Sequence, residues 1–205
     1  ANSAQGPLLS ARACSQVRAP DSAMAMSLQR VVEKIAFPAP SPSYSLASHA
    51  ELFFVRVPPS QRSHPGVPCM LYPAPRGSQT LVVHLHSNAC DIGELRPMME
   101  GLVETLGAHV LAVEFPGYGL HNGSPSMAAI DESVRQVVDF LRDDLKVDLS
   151  QVMWYGRSIG TGPAARAAHY VTKVLGHRPA GLVLQCGYAS FPDVAGHLFG
   201  RVAKS

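Results

Sequence analysis

From Gln79 onward the chain alternates short apolar runs with stretches of helical length, and few architectures accept that alternation. The runs cover residues 80–85, 109–115, 151–155 and 181–185. Each is strand-sized and largely aliphatic, and the central ones read as buried on both faces. Between them Ile130, Val134, Val137, Val138, Leu141 and Leu145 recur at helical spacing, and residues 159–175 are alanine-rich with few breakers. The pattern predicts an α/β domain, a mostly parallel sheet with helices packed across its faces. Ser124 and Pro125 look like an N-cap followed by proline at the first helical position, where the missing amide costs nothing. An earlier helix is expected to start near Arg96. Asp91 and Glu94 resemble a capping pair, but a helix starting there would hold Pro97 in its interior.

Upstream the texture differs. Prolines crowd the stretch from Pro38 to Pro75, leaving room for two short strands at residues 51–57 and 67–72, which read as antiparallel edge strands. Residues 1–30 form a serine- and alanine-rich segment with Arg12, Arg18 and Arg30 against the single acid Asp21. They are expected to be a disordered tail whose composition loosely resembles a transit peptide. The remaining composition excludes several classes of function. With 46% hydrophobic and 16% charged residues among 205, the chain can bury a real core. A net charge of +2 leaves no electrostatic footprint for nucleic acid, and no run approaches the roughly 18 apolar residues of a spanning helix. Cys14, Cys69, Cys90 and Cys186 are far apart, which argues for a reducing compartment over a disulfide framework or zinc site.

The motif that carries chemistry is Gly156-Arg157-Ser158-Ile159-Gly160, directly after one predicted strand and directly before a helix. A nucleophilic serine has to stand clear of the sheet on a sharp turn, and the flanking glycines let strand and helix approach closely enough to make it. Ser158 is therefore the candidate nucleophile, with Gly156 and Gly160 as supports of the turn. The backbone amide of Ile159, at a helix N-terminus, would donate to a developing oxyanion. A second donor is expected from the loop after the strand at 80–85, and the Asn88 amide is the candidate.

Other readings are weaker. His84 and His86 share a strand face, but a metal-binding H-x-H-x-D-H pattern would need aspartate and histidine where Asn88 and Ala89 stand, so the histidines read as braces and no metal is expected. Gly117-Tyr118-Gly119 meets Asn122 where a dinucleotide fingerprint needs glycine, so no cofactor is expected either. Cys90 and Cys186 read as buried, inert thiols.

Taken in order, Val32-Glu33-Lys34-Ile35-Ala36-Phe37 with Pro38, Pro42 and Tyr44, then His86-Ser87-Asn88-Ala89-Cys90-Asp91-Ile92-Gly93, Gly117-Tyr118-Gly119, Gly123-Ser124-Pro125-Ser126 and Tyr155-Gly156-Arg157-Ser158-Ile159-Gly160-Thr161, resemble one group of proteins. It is the alpha/beta-hydrolase domain-containing 17 group of acyl-protein thioesterases. The resemblance implies an alpha/beta-hydrolase fold over residues 31–205, a substrate that is an acyl ester or thioester, lipidated proteins included, and a cytoplasmic setting with peripheral membrane contact left open. Three departures bear on it. Ser87 stands where the family has glycine, the N-terminal cysteine cluster of mammalian members is reduced to Cys14, and the acid and base of the family's triad belong to two later strands, expected beyond residue 205. Asp193 and His197 follow the wrong strand and match no catalytic position. With Ala1 in place of methionine, the expectation is a fragment of a longer protein whose last two strands are missing. The competing reading is a catalytically silent relative that binds an acyl ligand or a protein; cleavage of amides would use the same site.

Overall fold

The computed structural model describes residues 36–55 and 66–188. The tail at 1–30, Cys14, Asp193 and His197 lie outside the described residues. Among the described residues six strands form one mixed sheet: β1 (Leu52–Val55), β2 (Val67–Tyr72), β3 (Leu81–Leu85), β4 (His109–Val113), β5 (Val152–Arg157) and β6 (Gly181–Gln185), in spatial order β1-β2-β4-β3-β5-β6. The pairs β1/β2 and β2/β4 are antiparallel, and β4/β3, β3/β5 and β5/β6 are parallel. β3 and β4 are buried almost throughout, as expected of strands covered on both faces.

Among the described residues three α-helices cover the sheet: α1 (Arg96–Leu106), α2 (Met127–Asp139) and α3 (Thr161–Lys173). Val83, Leu85, Leu111, Val113, Val152 and Trp154 point to the face where Ile130, Val134 and Val137 of α2 and Ala164, Ala167 and Val171 of α3 pack. The alternate residues Val82, Val110, Ala112, Met70 and Tyr72 point to the other face, against Met99 and Val103 of α1. This two-sided burial follows from the side-chain alternation of each strand.

Two details depart from expectation. β2 is an interior strand, flanked by β1 and β4. It tolerates Pro68, which has no amide to donate, because Pro68 faces Glu114 just past the end of β4. The Pro68 carbonyl accepts the Glu114 amide at 3.0 Å, and the Glu114 carbonyl is met instead by His121 Nδ1 at 3.0 Å. α2 begins two residues later than Ser124-Pro125 suggests. Its cap is Ser126, whose extended backbone presents Oγ to the Ala129 amide at 3.1 Å. Pro125 instead packs on Gly117, where a Cβ would lie 2.6 Å from Pro125 Cδ. The start of α1 at Arg96 is as expected, with Asp91 accepting the Gly93 and Glu94 amides ahead of it.

Candidate active site

β5 ends at Arg157, and the next three residues, Ser158–Gly160, form a single 3-10 turn leading into α3. Ser158 sits in this turn with φ +50°, a left-handed conformation that non-glycine residues adopt at a cost of about 1 kcal/mol. The turn survives because its surroundings leave little alternative. A Cβ at Gly156 would lie 2.3 Å from the Gly160 carbonyl oxygen, and a Cβ at Gly160 would lie 2.2 Å from that of Leu85 and 2.7 Å from that of His86. Strand end, turn and helix start are thus pressed together and against the end of β3. The Thr161 hydroxyl donates to the Ser158 carbonyl at 2.6 Å and closes the turn. Ser158 is half-buried and Ile159 is buried beneath it.

Because β3 and β5 are parallel neighbours with Leu85 opposite Gly156, the loop that leaves β3 emerges beside Ser158. In this loop Ala89 has φ +59°, and the Asn88 side chain is held at both ends. Its Nδ2 donates to the Ala36 carbonyl at 2.8 Å, and its Oδ1 accepts the Tyr118 hydroxyl. The side chain is occupied in fixing the loop.

Behind the loop lies a buried polar cluster with few cues in the sequence. Glu114 is fully buried; its Oε2 accepts the Tyr44 hydroxyl at 2.9 Å and the Ile92 amide at 3.1 Å, and its Oε1 accepts the Phe115 amide at 3.2 Å. The same Oε1 lies 2.9 Å from Nε2 of the buried His86, a charge contact without the alignment of a hydrogen bond. Burial by itself lowers the basicity of His86. Cys90 and Glu114 outweigh it and push the imidazole up to about 10, which favours the charged ring. Asp91, also buried, accepts the Ser43 amide at 2.6 Å and the Ser43 hydroxyl. Through Tyr44 and Ser43 the segment before β1 is tied to the loops after β3 and β4. The one available signal was Glu114 itself, a charge inside an otherwise apolar run.

The two histidines separate. His86 stacks on Phe115 with ring centroids 3.9 Å apart, whereas His84 lies in β3 edge-on to Tyr155 at 5.0 Å. Alternation along the strand therefore does not carry past Leu85, and the rings do not share one set of neighbours. Both ring nitrogens of His84 are buried with no hydrogen-bond partner among the described residues. Burial, then the charges of His86 and Arg157, lower it from 6.5 to about 3. A group kept neutral in the fold that protonates near 6.5 when unfolded stabilises fully above that pH, and the contribution is lost as pH falls toward about 3. His84→Leu should therefore flatten the fall of melting temperature between pH 6.5 and pH 4 and raise it most at the acid end, as followed by circular dichroism. An unchanged acid slope would show that His84 is not the group titrating.

The expectation that these thiols are buried is corrected at two positions. Cys186 is exposed, because β6 is the edge strand of the described sheet and Cys186 lies just past its end. Cys90 is half-buried, with Ser87 and His86 against its sulfur. The groove lined by Val134, Val138, Pro163, Ala167 and Tyr170 lies between α2 and α3, away from Ser158.

Comparison with known proteins fits this architecture. An alpha-beta hydrolase from Vibrio vulnificus superposes with a TM-score of 0.62 at 18% identity, over 86% of this chain and 67% of its own. The chain has an alpha/beta-hydrolase fold. Esterase LipW from Mycobacterium marinum superposes on the same hydrolase fold with a TM-score of 0.52 at 15% identity, over 80% of this chain and 50% of its own. Among curated proteins, the alpha/beta hydrolase domain-containing protein aho-3 of Caenorhabditis elegans is 26% identical over 157 residues, covering 67% of this chain and 47% of its own. Alpha/beta hydrolase domain-containing protein 17C is 28% identical in Xenopus tropicalis, over 61% of this chain and 40% of its own. The human 17C protein is 27% identical, over 70% of this chain and 42% of its own. This hydrolase-fold chain spans less than half the length of these relatives. No family model matches it. Among the described residues, no helix is long and apolar enough to cross a membrane.

Proposed function

We propose that the protein is a serine hydrolase that cleaves acyl esters or thioesters, with Ser158 as nucleophile and the amides of Asn88 and Ile159 as oxyanion donors. The observation that carries the reading is the left-handed turn at Ser158, held where Gly156 and Gly160 admit no side chain. In the reaction the Ser158 hydroxyl oxygen attacks the acyl carbonyl while a base takes its proton. The two amides receive the oxyanion, and collapse expels a thiol or alcohol; water then releases the acid from the acyl-enzyme. The resemblance puts the acid and base of the triad beyond residue 205, so the assay belongs on the full-length protein. Lipidated proteins are the proposed natural substrates, met at a membrane surface.

A panel of matched acyl esters, thioesters and amides tests the reading. Turnover of esters and thioesters with an initial burst is expected, and amides should lag far behind. No turnover of any of the three would favour the silent, ligand-binding alternative.

The donor assignment has its own check. Tyr118→Phe frees one end of Asn88 and should cost about 1 kcal/mol of stability. Loosening the loop should also lower kcat by about tenfold with KM nearly constant, a fraction of the roughly 100-fold loss that removing an oxyanion donor brings. Equal kcat in the variant and the parent would show that Asn88 does not serve the oxyanion.

A further inference from the structure

We infer that Cys90, His86 and Glu114 form a second reactive site, a thiol that exchanges with small disulfides to give a reversible mixed disulfide on the loop after β3. Three groups line up between this loop and the end of β4. The Cys90 sulfur lies 3.8 Å from His86 Nδ1, and His86 Nε2 lies 2.9 Å from Glu114 Oε1. Ser87 adds its hydroxyl at 3.3 Å from the sulfur. A thiol beside an imidazolium that is itself held by a buried carboxylate has the charge environment that makes thiolates. The arrangement is independent of Ser158 and stands whether or not that serine is a nucleophile.

The surroundings agree with the geometry. Burial raises the Cys90 thiol, but the His86 and Ser87 contacts and the charge of His86 outweigh it and hold the thiol below its ordinary value, against the opposing charge of Glu94. Tyr118, the other titratable group facing the sulfur, is held protonated by burial and by the charges of Cys90 and Glu114, so it adds no charge at neutral pH. Cys90 is half-buried, open to a slender reagent, whereas Cys69 is fully buried in β2, with burial and then Glu114 keeping its thiol protonated.

The exchange balances without a further oxidant. Cys90 loses its proton to solvent, its sulfur attacks one sulfur of the small disulfide, a new S–S bond forms as the old one breaks, and the other half leaves as a thiolate. In the resting loop the Cys90 thiol donates to the Ser87 carbonyl at 3.1 Å. The mixed disulfide removes that donor and adds bulk two residues from Asn88, which couples the oxidation state of this thiol to the loop.

The test is the rate of iodoacetamide alkylation of Cys90 against pH in the full-length protein, read by peptide mass spectrometry with free glutathione in the same buffer. The expected midpoint lies below that of glutathione and rises to it when the protein is unfolded in urea. Incubation with glutathione disulfide should give a mixed disulfide on Cys90 that dithiothreitol releases. His86→Gln should raise the midpoint toward that of glutathione; if this variant does not fold, the profile of the parent protein decides. A midpoint at or above that of glutathione, or no adduct on Cys90, would overturn the inference. Cys90→Ser should leave esterase turnover in place, which separates failure of this site from failure of the serine reading.

Discussion

Ser158→Ala is expected to reduce ester turnover by the full-length protein at least a thousandfold while leaving its melting temperature within about 2 °C of the parent. The activity loss follows from chemistry. Without the hydroxyl no acyl-enzyme forms, and only the oxyanion donors and substrate binding remain, a residual that in serine hydrolases is far below the complete site. The stability expectation follows from position. Ser158 is half-buried, its carbonyl rather than its hydroxyl closes the turn with Thr161, and alanine bears the same positive φ at similar cost. The paired readout matters. Loss of turnover with loss of melting temperature would be a folding defect, and retained turnover would mean that another residue attacks the substrate.

The second large effect is on the fold. Gly160→Ala forces a methyl group to within 2.2 Å of the Leu85 carbonyl oxygen, and that neighbour is the backbone of a central strand, not a side chain that can turn away. Gly156→Ala meets the Gly160 carbonyl at 2.3 Å, again backbone. Either the turn opens or β3 and β5 shift, and overpacking of this kind costs about 3 kcal/mol or more. A drop in melting temperature of at least 6 °C, with loss of turnover, is expected for each variant. Alanine at Gly101 of α1, where a Cβ meets nothing within 4 Å, is the matched control and should be neutral or slightly stabilising. If Gly160→Ala melts with the parent, the turn is not packed as described.

Most of the sheet was legible because its signals are local. The apolar run at 67–72 and the one at 181–185 coincide with β2 and β6, and the helical spacing of Ile130, Val134 and Val137 marks the face of α2 that meets the sheet. The glycine spacing around Ser158 was equally readable, since strand, turn and helix are consecutive in the chain. What escaped depends on contacts between distant residues. Tyr44 and Glu114 are 70 positions apart, and neither reveals the other; the same holds for Asn88 and Ala36. Local rules also misjudged the interior position of β2, which rests on its pairing with β4, and the start of α2, where packing of Pro125 on Gly117 displaced an otherwise sound cap. The burial expected of Cys90 failed for the same reason: its surroundings are set by the fold of the loop after β3, not by the residues that flank it.

The account turns on Ser158, and covalent mapping tests it most directly. The full-length protein is treated with a fluorophosphonate, whose phosphorus is attacked by an activated serine oxygen with loss of fluoride, and the adduct is located by peptide mass spectrometry. A single adduct on the peptide carrying Gly156-Arg157-Ser158-Ile159-Gly160, absent in Ser158→Ala, is the predicted result. An adduct on any other residue, or none in protein that remains folded, would contradict it.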